Sequence, residues 1–193
     1  MPRPATARAG QPVDTLRDGR LRSTLRVLIL LPLAYAAAAA LSPFTVEQYL
    51  AADRAAEQKC EFHDGEMFPI EAASLKHSFI AANVAGALRL RGGPCRRVIA
   101  PVRVRVSPTK FLYPDVFVYC GEPALTDQHA DTLTNPKVIV EILSPSTKDY
   151  NYGSKFEFYR LLPSFEEYVL ISQTEPRVEV LRRNAHDRWT LTT

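Results

Sequence analysis

Tyr113-Pro114-Asp115-Val116-Phe117-Val118 and Val138-Ile139-Val140-Glu141-Ile142-Leu143-Ser144-Pro145-Ser146-Thr147 are the two runs on which the reading of this chain turns. Residues 138–143 are aliphatic and rich in β-branched side chains, the pattern of a strand buried on both faces. Period-two alternation places Ile139, Glu141 and Leu143 on one face and Val138, Val140 and Ile142 on the other. Glu141 is therefore an ionisable group in an apolar strand. Such a carboxylate has to be paired, protonated or bound to a metal. A salt bridge to a nearby lysine or arginine satisfies that demand as well as a metal does. Asp115 alone reads as a Pro-Asp turn start, but two acids on neighbouring strands form a different object.

Downstream, Lys155-Phe156-Glu157-Phe158-Tyr159-Arg160-Leu161-Leu162 reads as a helix stopped by Pro163. Lys155, Tyr159 and Leu162 share its i, i+4, i+7 face. The lysine either snorkels past its apolar stem or serves chemistry, orienting a water or stabilising developing negative charge. Two carboxylates and an ammonium brought together by a sheet suit a divalent cation and an activated water.

These residues carry a resemblance. Tyr-Pro-Asp-Val, Asn135-Pro136, Val-Glu-Ile-Leu-Ser-Pro-Ser-Thr, Lys-Phe-Glu-Phe-Tyr-Arg and Glu167-Tyr168-Val169-Leu170 occur in the order seen in the Uma2 family. That family is restriction-endonuclease-like and belongs to the PD-(D/E)XK nuclease superfamily. The resemblance continues upstream through Phe44-Thr45-Val46-Glu47-Gln48-Tyr49-Leu50, Glu61-Phe62-His63-Asp64-Gly65-Glu66 and His77, and downstream through Val178-Glu179-Val180 and Trp189. It implies an α/β fold with a mixed central β-sheet flanked by helices, spanning residues 44–193, behind an N-terminal extension, residues 1–43. It implies an Mg²⁺-dependent endonuclease acting on DNA, with Mn²⁺ as a substitute. Asp115 and Glu141 would be catalytic acids and metal ligands, the Ile142 carbonyl a further ligand, Lys155 the catalytic lysine and Glu61 an added acid. It also implies a homodimer able to cut both strands, a cytoplasmic location and no small-molecule cofactor. The chain departs from the pattern at three places. Leu143 stands where the strict motif has its lysine, Asn151 where an aspartate commonly precedes Lys155, and Pro101 where an aspartate often precedes the Arg-Val strand. A nuclease fold that binds nucleic acid without cutting it is the alternative those departures leave open.

Net charge is +3 over 193 residues, but its distribution matters more than its sum. Residues 1–26 hold six arginines against Asp14 and Asp18, so the rest of the chain is close to neutral. Bulk charge thus gives no support for nucleic-acid binding. Locally, six arginines and no acid lie between Arg89 and Arg105. In Val102-Arg103-Val104-Arg105-Val106 the alternation predicts a strand with one packed and one basic face. Arg103 and Arg105 are candidate phosphate contacts if that strand borders Asp115, and solvated charges otherwise. Pro101 suggests an edge or bulged position for it. His77, near a helix start, is a candidate phosphate or water contact or a hydrogen-bonded structural residue.

Residues 27–41 are fifteen apolar residues after the arginine-rich leader, interrupted by Pro32 and short for a bilayer span. An appended tail, a targeting or membrane segment and a docked helix all fit them. Cys60, Cys95 and Cys120 lack framework spacing, which predicts reduced thiols and no zinc site. The remaining expectations are a helix over 44–56 capped by Thr45 with Gln48, strands at 60–63 and 66–70 around Asp64-Gly65, and a second helix from Ser74. A polar loop follows at 120–137, and a three-strand meander after Glu167.

Overall fold

A computed structural model describes residues 43–88, 93–99 and 101–193. The leader, residues 27–41 and the Arg89 and Arg91 side chains fall outside the described residues. Among the described residues no helix is long and apolar enough to cross a membrane.

Helix α1 (Val46–Ala55) starts as its sequence dictates. Thr45 Oγ1 accepts from Gln48 N at 3.2 Å, and Gln48 Oε1 accepts from Thr45 N at 2.9 Å, so each end of the capping box holds the other. Strands β1 (Cys60–His63) and β2 (Glu66–Pro69) form a hairpin on Asp64-Gly65. Both turn residues have positive φ, +51° and +101°, the requirement of a tight hairpin turn. Only glycine fits the second position, since a Cβ there would stand 2.5 Å from Pro43 Cβ. Helix α2 (Leu75–Ala87) is capped by Ser74, whose side chain accepts from His77 N.

Then come β3 (Cys95–Ile99), β4 (Arg103–Ser107), β5 (Lys110–Leu112), β6 (Val116–Cys120), β7 (Thr132–Leu133) and β8 (Pro136–Leu143). A helical stretch follows: α3 (Lys148–Tyr150), a π-helical turn Asn151–Lys155 and α4 (Phe156–Tyr159). The chain closes with β9 (Glu167–Ser172), β10 (Val178–Arg183) and β11 (Trp189–Thr192), the expected meander.

The strands form two mixed sheets flanked by helices, where the sequence suggested one central sheet. One runs β2-β1-β5-β4-β7 and the other β11-β10-β9-β8-β6-β3. β8 and β9 are parallel, joined by the helical stretch; β6 and β8 are antiparallel. β8 is buried on both faces as its composition requires. Ile139 and Leu143 pack with Phe117, Tyr159, Phe165 and Leu170, while Val140 and Ile142 pack with Val116 and with Ala81 and Ala85 of α2. A third cluster, Tyr49, Cys60, Phe62 and Phe111, fixes α1 on the smaller sheet.

Two expectations are corrected. Cys95 and Cys120 are directly opposed on β3 and β6 and form a disulfide. Spacing along the chain, 25 residues, gave no hint of it, because the pairing is created by strand register. The cysteines therefore no longer argue for a reducing compartment. Secondly, β4 is not an edge with a basic face. It lies between β5 and β7, and Arg103 is only 2 % exposed. Its guanidinium pairs with Asp53 at 2.8 Å and with Asp131, and its Nε donates to Thr132 Oγ1 at 3.1 Å. A guanidinium buried among these partners, with each of its nitrogens engaged, is not presented to a phosphate. Arg105, half-buried, donates to the carbonyls of Ser107 and Pro108 and lies over the Phe111 ring, again in the smaller sheet.

Candidate active site

Asp115 is placed by strand register. The last rung between β6 and β8 is Val116 with Val140, so Asp115 stands at the next position, beside Glu141. There β6 has ended, and the Asp115 carboxylate takes over its work: Oδ2 accepts from Ile142 N at 2.7 Å. The N–H and C=O of one strand residue point to the same side, so the Ile142 carbonyl is directed toward that edge as well. His77 Nε2 approaches the same Asp115 oxygen at 3.1 Å. The Ser74 cap sets the start of α2 and thereby delivers His77 to this acid.

Tyr113 fixes the approach to Asp115. A residue before proline is held extended, which leaves its backbone groups free of β5 and turned toward side chains. Glu61 Oε1 accepts from Tyr113 N at 3.1 Å, and Lys155 Nζ donates to Tyr113 O at 3.1 Å. The Tyr113 hydroxyl donates to the buried Asp53 at 2.6 Å.

Lys155 is the hub. Its ammonium lies 2.9 Å from Glu141 Oε1, 3.3 Å from Glu61 Oε1 and 3.1 Å from Tyr113 O. Three protons thus meet three acceptors. Lys155, Glu61 and Glu141 are 6 %, 6 % and 2 % exposed. Tyr159, one helical turn after Lys155, donates to the same Glu141 oxygen at 2.8 Å. The shared face of Lys155 and Tyr159 is therefore aimed at one carboxylate, and Leu162 goes into the core below it. Glu61 comes from the other sheet. Alternation on β1 sends Cys60 and Phe62 into their cluster, and Glu61 and His63 the other way. Tyr150 donates to Glu61 Oε2 at 2.6 Å, and His63 Nε2 is 3.7 Å from that oxygen.

Burial dominates the electrostatics. Desolvation drives the Glu141 carboxyl up to about 8, with Lys155 pulling it back and the Asp115 charge pushing it further up. Lys155 is raised in spite of desolvation, because Glu141, Glu61 and Asp115 favour its charged form. His63 is lowered by burial, against the pull of Glu61. Tyr150 and Tyr159 are raised by burial and by the carboxylates they donate to, so they stay protonated donors.

The oxygens left over bear on metal binding. Asp115 Oδ1 and Glu141 Oε2 accept no hydrogen bond from the described residues. No group of three or more His, Cys, Asp or Glu side chains among the described residues is arranged to cage an ion. Two carboxylates and a carbonyl make an open, hard-oxygen donor set. That set suits Mg²⁺, which keeps several waters and takes one or two carboxylates, and it is poorly suited to a softer metal.

The predicted residues thus divide. Asp115, Glu141, Lys155, Glu61, Ile142 and His77 come together, whereas Arg103 and Arg105 lie in the smaller sheet with their guanidinium groups engaged. Tyr150, His63 and the Tyr113 backbone are at the site without having been singled out as candidates. The spacing of Glu61 and His63 was the available signal for one of them. Asn151 is 3 % exposed at the start of the π-helical turn. Its Nδ2 donates to Thr147 Oγ1 at 3.3 Å, and its Oδ1 is buried without a partner.

Comparison with known proteins agrees with this architecture. The protein "Uncharacterized protein sll1609" of Synechocystis sp. is 36 % identical over 151 residues, covering 77 % of this chain and 85 % of the relative. A second, "Uncharacterized protein slr1290" of the same organism, is 28 % identical over 160 residues, covering 81 % and 83 %. A crystal structure of "a putative nuclease belonging to DUF820" from Anabaena variabilis superposes with a TM-score of 0.62 at 18 % identity, covering 77 % of this chain and 84 % of that one. That likeness establishes the fold. The family described as "Putative restriction endonuclease" matches residues 46–193, and on that match this chain belongs to the Uma2 family.

Proposed function

We propose that the chain is a metal-dependent endonuclease that hydrolyses phosphodiester bonds in DNA. The observation that carries this reading is the meeting of Asp115 and Glu141 at one strand edge with Lys155 held against Glu141. An ion pair made only for stability would not need the second acid, nor leave an oxygen of each carboxylate unspent. Asp115, Glu141 and the Ile142 carbonyl would hold Mg²⁺, or Mn²⁺ in its place, and the ion would acidify a bound water and neutralise the phosphate.

The remaining work falls to the chain itself. Lys155 keeps its charge because two carboxylates face it, and it reaches the site from the side of Glu141. There its charge would stabilise, through space, the negative charge that develops on the phosphate oxygens, or it would orient the attacking water by turning a proton away from the Tyr113 carbonyl. Tyr159 and Tyr150 lock the rotamers of Glu141 and Glu61, which is what holds a reactive geometry in place. His77 fixes Asp115. A homodimer with two such sites would cut both strands, and a cytoplasmic location would bring it to intracellular DNA.

The test is cleavage of plasmid and single-stranded DNA by the full chain in Mg²⁺, Mn²⁺ or EDTA, beside Glu141→Ala. Metal-dependent nicking that is lost in the variant supports the reading. A folded protein that binds DNA equally in EDTA and never cuts it is instead a degenerate nuclease, and the Asn151 and Leu143 departures would be the place to look for the reason.

A further inference from the structure

Beside the acids lies a pocket of about 200 Å³ that the proposed chemistry does not use. Its position follows from register. Glu141 of β8 is opposite Leu170 of β9, which is opposite Glu179 of β10. Directly opposed residues share a face, so Glu179 sits two strands from Glu141, about 10 Å away at ordinary strand spacing. Leu143, Pro145 and Leu170 supply apolar walls, and Tyr152 adds an aromatic ring that is 37 % exposed. The π-helical turn explains that ring: Asn151 and Lys155 at its ends are buried, while Tyr152 between them faces outward.

The ring is held in place. Its hydroxyl donates at 2.5 Å to Glu179, a carboxylate only 2 % exposed, and the other Glu179 oxygen takes Arg177. Arg177 also lies 4.0 Å from Glu175, so its charge is already matched. Lys148 is different. Its ammonium is 6.0 Å from the Tyr152 ring and makes no carboxylate contact among the described residues.

We propose that this pocket seats one nucleotide of the substrate strand next to the scissile phosphate, its base on Tyr152 and the apolar walls and its phosphate against Lys148. The composition selects that ligand class. A bare anion would meet two glutamates and only one unmatched cation. A nucleotide pairs a flat π-face with one charge, and Ser144, Ser172 and Thr174 add polar groups to the lining. Stacking on aromatic rings is the sequence-tolerant way to hold single strands. The inference rests on the nuclease reading, which supplies a substrate strand at Glu141.

The experiment is fluorescence-anisotropy binding of a labelled single-stranded oligonucleotide to the full chain in EDTA, so that nothing is cut. Tyr152 and Lys148 are exposed, and Glu179 keeps Arg177 when Tyr152 is replaced, so circular dichroism and the urea midpoint of each variant are checked against wild type first. Tyr152→Leu should weaken binding about tenfold with an unchanged salt dependence. Lys148→Gln should flatten the slope of log K against log salt by about 0.7, the value for one phosphate contact on a single strand. If both variants bind as the wild type does while the wild type still cuts DNA in Mg²⁺, the pocket proposal falls and the nuclease reading stands. If the wild type neither binds nor cuts, both fall together.

Discussion

Replacing Glu141 by glutamine should stabilise the protein at alkaline pH while abolishing the proposed cleavage. Desolvation holds the Glu141 carboxyl near 8 in the fold, against an ordinary value of 4.5. Between those limits the folded state carries one proton more than the unfolded chain, so stability falls as pH rises, by about 1.4 kcal/mol per pH unit. Glutamine does not titrate. Its amide oxygen still accepts from Lys155 and Tyr159, and Lys155 keeps Glu61 at 3.3 Å and the Tyr113 carbonyl at 3.1 Å. At pH 5, where Glu141 is protonated, the two proteins should therefore differ little. By pH 8 the variant should be the more stable by about 4 kcal/mol. Taking the difference between the two proteins removes the titrating groups that do not interact with Glu141.

Urea unfolding in EDTA at pH 5, 6, 7 and 8 measures this directly. Trp189 is the only tryptophan, and its ring lies 5.1 Å from Phe156 and 4.9 Å from Phe165, so its fluorescence reports the core under the site. A difference that stays flat with pH would refute the argument, as would a glutamine variant less stable than wild type at pH 8. Adding Mg²⁺ should then narrow the gap at pH 8. At a hundred times its dissociation constant the ion adds about 2.7 kcal/mol to the protein that binds it, and the variant should gain far less.

Other outcomes follow from the same contacts. Arg103→Met leaves the buried Asp53 without its counter-charge and should cost about 3–5 kcal/mol in urea unfolding, where a solvated phosphate contact would cost almost nothing. Asp131 is held well below the usual carboxylate range by hydrogen bonds from Arg54 and Arg103. Its stabilising contribution is complete above its unfolded value of 3.8 and is lost as pH falls toward the folded one. Asp131→Asn should therefore lower the urea midpoint at pH 5 more than at pH 2.5. Reducing the Cys95–Cys120 bond frees a loop of 25 residues and should lower stability by about 2–4 kcal/mol, read by the urea midpoint with and without dithiothreitol.

What the sequence disclosed depended on the range of the interaction. Local signals were legible: the Thr45 capping box, the Asp64-Gly65 turn, the Ser74 cap and the two-faced burial of residues 138–143 are each set within a few residues. The Lys155–Tyr159 face was legible too, although the π-helical turn that delivers it was not, since nothing in Asn-Tyr-Gly-Ser-Lys marks it. Pairings made by sheet register were hidden. Arg103 alternates with valines as an outward-facing residue would, and nothing near it in the chain reveals that Asp53 and Asp131 await it. Cys95 and Cys120 likewise become neighbours only when β3 docks on β6.

The candidate site obeys the same division, and its residues bear on stability as well as on the proposed chemistry. Glu61 arrives on the sheet of β1 and β5, while Glu141 arrives on the sheet of β8 and β9. Lys155 is bonded to both and to Tyr113, the residue at which the chain passes from one sheet to the other. A single buried ammonium therefore ties the two sheets together at the place where the acids converge. Leu143 of β8 packs in the core, and Lys155 on the helical stretch after it is placed so that one charge would serve both the proposed chemistry and the tie between the sheets. Replacing Lys155 therefore tests more than the proposed chemistry: Lys155→Met exposes two carboxylates to each other in a dry site. They can coexist only if one keeps a proton, and that proton is the one Glu141 already tends to hold.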